Sequence, residues 1–444
     1  MKSRKAKARL YSALVLLCLT LLLTLSLTSC GEAGSDEILS VAELEENITR
    51  DTTTSYNYVW EYLDKWRFPT FSSSKMKSVE HIFKTDFYKE LPPARELAES
   101  CATIFLENLY SQIDLTDKSA VTDALITAYV ASIGDRYSVY RTANQYSDYK
   151  AENSGTLVGI GVSVTLAGDG TGVLISSVYD GSPAEAAGLK AGDVIVGVDG
   201  TRVENKTLDE VAAIIKGEVG TTVQITVRRA DTELTVTSMR AMITEKTVTY
   251  SVEDGIGYIR ISAFKSNTAD LFIEAIDYMK ANNVQGVIYD MRANPGGYLS
   301  TVVEMLEYLA PEGTTIVSFS NGYGSPVIDD TKESYTPTSV ILTDYNTASA
   351  AELFTAGVCD LADMGYGEAI TVGKATRGKG IMQSTYRLTD GSSITLTVAY
   401  YNPPSGKNFH EVGIPADVDV EYASGEGDAQ LEKAYEEIFN LIKN

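Results

Sequence analysis

Residues 182–200 read SPAEAAGLKAGDVIVGVDG. The Ser-Pro start and Ala-rich run suit one short helical turn. Gly-Leu-Lys-Ala-Gly suits a bend, and the β-branched run after it suits a buried strand ended by Asp-Gly. The same alternation continues on both sides, from Gly155 to about Arg240, through GVLISSV, TTVQITVRR and ELTVTSM, with a second helical stretch in TLDEVAAIIKG (207–217). This pattern predicts a compact, mostly β module with two short helices, assigned to residues 151–240.

The flanks differ in kind. Upstream, apolar positions recur at three and four in SCATIFLENLYSQI and VTDALITAYVASI, which predicts a helical N-terminal region over 55–150. Downstream, over 241–444, strand candidates (GIGYIRI, GVIYDMR, TTIVSFS, SVILTDY, AITVG) alternate with helical stretches such as TADLFIEAIDYMKAN and LSTVVEMLEYLA. The last stretch, QLEKAYEEIFNLIKN, predicts an amphipathic helix packed on the core or on a partner. The fold class is therefore multidomain α/β.

The chain has 444 residues, 44% hydrophobic and 22% charged, enough for two or three domains with real cores. A formal charge of −23 argues against a nucleic-acid partner, which needs a basic face. Five of the cations (Lys2, Arg4, Lys5, Lys7, Arg9) precede a long apolar stretch ending at Leu27-Thr28-Ser29-Cys30. That stretch resembles a bacterial lipobox. The resemblance implies a signal peptide at 1–29, lipidation of Cys30, an acidic tether over 30–54 and a location on the extracytoplasmic side of the cell membrane. A signal anchor and an ordinary secretory signal remain open on the residues alone. Cys101 and Cys359 are then the only other cysteines outside the signal, too few for a disulfide framework or an all-cysteine metal site.

The stretches GIGVSVT (159–165), SPAEAAGLKAGDVIVGVDG and TLDEVAAIIKG, in this order and spacing, resemble a PDZ domain. The resemblance implies that Gly159, Ile160 and Gly161 turn backbone amides toward a peptide's C-terminal carboxylate. The peptide would add as a strand beside Val162, meeting Leu208, Val211 and Ile215 of the second helix.

The chemistry must come from a short list. Two histidines, His81 and His410, leave little for a metal site or a Ser-His-Asp triad, and His410 is only a weak candidate base. With neither a Walker A loop nor a Rossmann fingerprint, no cofactor is expected. Ser349, in NTASAAE (346–352), fits a helix cap in the pattern S-x-x-E, and it fits a nucleophile. A lysine serves as its base only when neutral, so it must be buried. ITVGKATRGKGIMQST (370–385) offers Lys374 and Lys379, with Gln383 able to hold the amine without adding charge. Ala350 N–H at the helix start and a glycine amide of Asn294-Pro295-Gly296-Gly297 suit an oxyanion hole.

DMRANPGGYLSTVVEM, NTASAAELFTAG, ITVGKATRGKGIMQS and NFHEVGIPADVDV, in this order behind such a module, resemble the carboxyl-terminal processing peptidases, serine proteases with a Ser-Lys dyad. The likeness extends to GDRYSVYRTANQYSDY ahead of the module. It implies an α/β protease core of crotonase-like ββα type over 241–444 and an endopeptidase that recognises polypeptide C-termini. By position, Ser349 is the nucleophile, Lys379 the base, Gln383 its orienter, and Gly296 with Ala350 the oxyanion hole. The chain departs in three places. Arg377 stands where an aromatic is usual, Ala351 replaces a common serine, and the serine-to-lysine spacing is about five residues longer, so that Lys374 falls at the usual count. Two other readings are a catalytically inactive PDZ adaptor displaying peptides and thioester chemistry of the crotonase kind. The amphipathic terminal segments suit a homodimer.

Overall fold

The computed structural model describes residues 40–50, 56–167, 172–179, 181–204, 206–320, 322–331, 334–422 and 427–443. The signal at 1–29 and Cys30 lie outside them. Within the expected tether, Val41–Arg50 is instead a helix. Leu44 is fully buried and Ile48 packs beside it against the helical region. Their spacing of four gives one apolar stripe that an acidic composition conceals.

Helices Val59–Lys65, Ser73–Asp86, Ala94–Ile104 and Lys118–Ser132 enclose a core of Leu63, Met76, Phe83, Phe105, Leu125 and Tyr129. The region does not stand alone. Its core continues into Ile394, Leu396 and Val398 near the far end of the chain. Strand Val139–Arg141, inside the stretch read as helical, pairs antiparallel with Ser393–Asn402. No local window reveals a partner more than 250 residues away.

The β module holds strands Val162–Leu166, Val173–Val178, Val194–Val198, Thr222–Arg229 and Thr232–Met239 in that order, with Thr201–Arg202 on the edge. Helices Pro183–Ala186 and Leu208–Ile215 are the two expected. Thr156–Gly159 pairs with Ala241–Thr244 as a separate ribbon on which the module stands.

Behind the ribbon lies a six-stranded sheet ordered Val248–Glu253, Ile256–Ile261, Gly286–Asp290, Ser339–Thr343, Ala369–Gly373 and Val418–Asp419. All pairings after the first are parallel. Gly286–Asp290 and Ser339–Thr343 are buried at every position, as a parallel sheet covered on both faces requires. Thr268–Ala281, Leu299–Leu309 and Ala350–Asp363 cover one face. On the other face, Ala434 and Ile438 of the C-terminal helix Ala429–Lys443 pack on Ile256, Ile288, Val340 and Leu342. The apolar face of that helix is thus covered within the chain rather than by a partner. A second sheet joins Val139–Arg141, Ser393–Asn402, Thr315–Phe319, Val327–Ile328 and Ile381–Arg387.

Candidate active site and peptide groove

Three loops at the carboxyl ends of the parallel strands meet around Ser349. The first runs from Ser339–Thr343 into helix Ala350–Asp363. Asp344 Oδ1 accepts the N–H groups of Asn346 and Thr347 at 2.9 Å and of Ala293, in the next loop, at 3.0 Å. Ser349 sits at φ 59°, ψ −119°, a sparsely populated conformation for a side-chain-bearing residue, costing on the order of 1–3 kcal/mol. Fixed hydrogen bonds hold it there: Ser349 N–H donates to Glu352 Oε2 at 2.8 Å, and Leu353 N–H donates to the Ser349 carbonyl at 3.0 Å.

The second loop follows Gly286–Asp290. Asn294, fully buried, accepts Ala348 N–H on its carbonyl and Gly296 N–H on Oδ1, both at 2.9 Å. Gly296 has φ +98°, and a Cβ there would lie 2.7 Å from Ala348 O, 2.8 Å from Ser349 Cβ and 2.9 Å from Ala350 N. Only a glycine lets this backbone rest against the serine. Gly296 and Ala350 therefore flank Ser349. Ala350 N–H points out of the first helical turn, where amides lack intrahelical acceptors; Gly296 N–H is engaged by Asn294.

The third loop links Ala369–Gly373 to Ile381–Arg387. It is clamped by Glu352, a fully buried carboxylate. Oε1 accepts Thr376 Oγ1 at 2.5 Å and Gly378 N–H at 2.6 Å, and Oε2 accepts Lys379 N–H at 2.8 Å. Read from sequence as a capping residue, Glu352 thus joins the serine turn to the lysine loop. Lys379 Nζ donates to Gln383 Oε1 at 3.0 Å and lies 5.0 Å from the Tyr137 ring centre. Gln383 Nε2 in turn donates to the Tyr137 carbonyl, so the upstream segment holds the residue that holds the amine. Burial pushes the Lys379 pKa down; Asp135 and Glu352 oppose this, and Arg136 and Arg377 assist it. Lys374 is the opposite case. Its amine pairs with Glu421 at 2.5 Å and Asp419 at 3.0 Å, which raise its pKa, Glu421 most.

Between serine and lysine the helix runs on to Asp363 and is followed by a turn exposing Met364 and Tyr366. Ala351 is buried in the helix. Arg377 is exposed and stacks 5.2 Å from the Tyr345 ring centre. His410 lies edge-on to Tyr400 and beside Tyr137, at 5.5 and 6.4 Å between ring centres; burial lowers its pKa, and its Nδ1 has no partner among the described residues. Tyr401, one of 27 tyrosines and not distinguished by any motif, also stands at the site. Its hydroxyl donates to the Lys379 carbonyl at 2.9 Å.

On the β module, Gly159, Ile160, Gly161 and Val162 line an apolar groove with Tyr179, Ala212, Ile215, Lys216 and Ile243. Gly161 has φ +86°, and a Cβ there would lie 2.3 Å from Ser182 Cβ, so the loop bends closely over the first short helix. Val211 is buried in the module core and Leu208, half-buried, packs against it, while Ala212 and Ile215 of the same helix line the groove. Arg240 donates to the Ile215 carbonyl at 2.8 Å and so ties the helix end to the ribbon carrying the glycine loop. Beside it, Lys216 is exposed at the groove's end.

Residues 255–420 match the model of Peptidase family S41, and residues 174–229 match that of the PDZ domain. A probable CtpA-like serine protease of Staphylococcus haemolyticus is 33% identical over 304 residues, 68% of this chain and 60% of the relative. One of Staphylococcus aureus is 32% identical over 325 residues, 71% of this chain and 64% of the relative. The chain thus spans somewhat under two thirds of the curated relatives it matches. A solved putative S41 protease from Bacteroides fragilis shares the fold with a TM-score of 0.54 at 17% identity, covering 82% of this chain and 97% of the other. One model spans the serine turn, the Gly296 loop and the lysine loop, and a PDZ model lies directly ahead of it, so over these residues the chain is similar to peptidase family S41 behind a PDZ domain.

Proposed function

We propose that the chain is an endopeptidase that binds polypeptides by their C-termini in the PDZ groove and hydrolyses them through an acyl-enzyme on Ser349. The observation that carries this reading is the half-buried Lys379 amine, held by the neutral Gln383 amide, on a loop that Glu352 ties to the strained turn of Ser349 and the helix start at Ala350. A neutral Lys379 takes the Ser349 proton as Oγ bonds to the scissile carbonyl carbon. Ala350 N–H meets the oxyanion, and Gly296 N–H turns from Asn294 Oδ1 to supply a second bond. The C–N bond breaks and the leaving amine takes the proton from the Lys379 ammonium. Lys379 then deprotonates water, which attacks the ester, and the departing Oγ recovers its proton. No step calls on a metal or nucleotide. The lipobox-like segment supports a lipid-anchored protein on the outer side of the cell membrane.

The test is cleavage of a disordered polypeptide carrying either a free or an amidated C-terminus. Wild type is expected to cut the free acid at least tenfold faster, and Ser349→Ala to cut neither. Equal rates on both ends would remove C-terminal recognition; cleavage by Ser349→Ala would remove the nucleophile.

Lys216 stands where the groove meets the glycine loop, and its ammonium is suited to a terminal carboxylate. Lys216→Glu is expected to weaken binding of a free-acid peptide about tenfold, from a lost and reversed exposed charge contact. The amidated peptide should bind both forms alike. Fluorescence anisotropy checks this, and an unchanged affinity for the free acid would exclude Lys216.

A further inference from the structure

Tyr137, half-buried, sets its ring against the Lys379 amine from a turn that is pinned on both sides. Asp135 Oδ1 accepts Tyr137 N–H at 3.2 Å, and Oδ2 accepts Ser138 Oγ at 2.6 Å and, from strand Ser393–Asn402, Thr397 Oγ1 at 2.7 Å. Arg136 holds the ring itself: its guanidinium carbon lies 4.7 Å from the ring centre, and Nη2 donates to the phenol oxygen at 2.5 Å. Lys379 Nζ lies 5.0 Å from the same centre. An aromatic face carries negative charge density, and a cation within about 6 Å of the centre is drawn to it. Gln383 fixes where the amine sits; the ring adds an attraction that an ammonium feels and a neutral amine scarcely does. The carboxylates at Lys374 hold that amine charged, whereas a ring without net charge leaves Lys379 able to rest neutral.

We propose that the face of Tyr137 stabilises the ammonium that Lys379 becomes on taking the Ser349 proton, so that Tyr137 acts on the reaction through the base. The inference rests on the proposed Ser349–Lys379 dyad. The Oγ–H bond breaks and an N–H bond forms at Nζ while the ring changes no bond. Its attraction grows as the proton moves, so it is gained on the way to the transition state. Other charges face the same amine: Asp135 and Glu352 favour its charged form, Arg136 and Arg377 oppose it, and His410 stands 6.4 Å beyond the ring between ring centres. All of them stay in place when only the ring's electron density is changed. The ring also favours the ammonium in the free enzyme, against the burial that makes the base neutral. Weakening it therefore has two opposed effects. The amine stays neutral down to a lower pH, and the transition state above that pH is less stable.

The test makes Tyr137→Phe in the full-length protein and then replaces that phenylalanine with its mono-, di- and trifluorinated forms, a series of nearly one shape whose face is progressively less negative. The readouts are the rate at which a fluorophosphonate labels Ser349 and kcat/KM on a peptide without titrating side chains, each followed across pH, with thermal unfolding to check that every form is folded. Tyr137→Phe is expected to stay within twofold of wild type on the plateau. Along the fluorinated series the rising limb is expected to move down by about one pH unit and the plateau to fall about threefold, as befits one cation–π contact half developed in the transition state. Below the limb the trifluorinated form is then about threefold faster than Tyr137→Phe, and the two profiles cross. Should that form not fold, the mono- and difluorinated forms carry the same trend. A ring that only packs the lysine stem leaves the limb unmoved, and a loosened Gln383 lowers the rate at every pH. Either result, or a limb that moves upward, overturns the proposal while leaving Lys379 as the base. A wild type that neither labels nor cleaves, labelling that survives in Ser349→Ala, or an unchanged limb in Lys379→Ala refutes the dyad, and this inference with it.

Discussion

Lys379→Ala is expected to lower kcat by roughly 10⁴-fold, as loss of the base does in an acyl-transfer unit whose members act together. Lys374→Ala should remain within twofold of wild type. The contrast arises from the surroundings of the two amines. Glu421 and Asp419 hold the Lys374 amine charged, and a charged amine cannot accept a proton. Lys379 is driven the other way by burial. The working form is deprotonated, so kcat/KM should rise with pH along a limb lying below the ordinary lysine value of about 10.5. Lys379→Arg should not rescue, because a guanidinium stays protonated. The measurement is a pH–rate profile for wild type beside single-pH rates for the variants. Loss of activity in Lys374→Ala with Lys379→Ala intact would reverse the assignment.

Glu352→Gln, a change of one atom, is expected to lower kcat by about 100-fold or more and the unfolding temperature by on the order of 5 °C. The carboxylate accepts from Ser349 N–H, Lys379 N–H, Gly378 N–H and Thr376 Oγ1. An amide replaces one accepting oxygen with a donor facing donors, leaving buried N–H groups unpaired at about 1–3 kcal/mol each. The displaced loop would carry the lysine with it, and a shift of about 1 Å costs a site of this kind about two decades in rate. Circular dichroism melts and steady-state kinetics read both effects. A Glu352→Gln protein with wild-type kcat would show that the two loops keep their places without the clamp.

Much of this site is legible because glycine and serine are used where geometry leaves no substitute. Gly296 and Gly378 announce backbone in contact with backbone, and the strands before each loop are rich in β-branched residues. The segments that escape reading depend on distant partners. Val139–Arg141 looks like the tail of a helical region until Ser393–Asn402 is beside it. Val41–Arg50 looks like solvated linker because its acidic residues outnumber the two apolar ones that dock it. Tyr401 and Glu352 carry no local signature of their roles, since hydrogen-bonding across loops leaves no period in a sequence. On the groove helix Val211 turns into the module core and its neighbour Ala212 toward the groove, a rotation of about 100° that composition cannot resolve.

The bond from Gln383 to the Tyr137 carbonyl spans 246 residues, and Arg141 reaches Thr395 across 254. Contacts of such separation close large loops and form late, after local helices and hairpins. A growing chain that has emerged through the PDZ module already carries the apolar groove and Tyr137, but neither Ser349 nor the strand that bears Gln383. On the function proposed above, such a chain holds a polypeptide's end before it can cut it. The proposed dyad is assembled only when the last hundred residues return to pair with a segment synthesised long before.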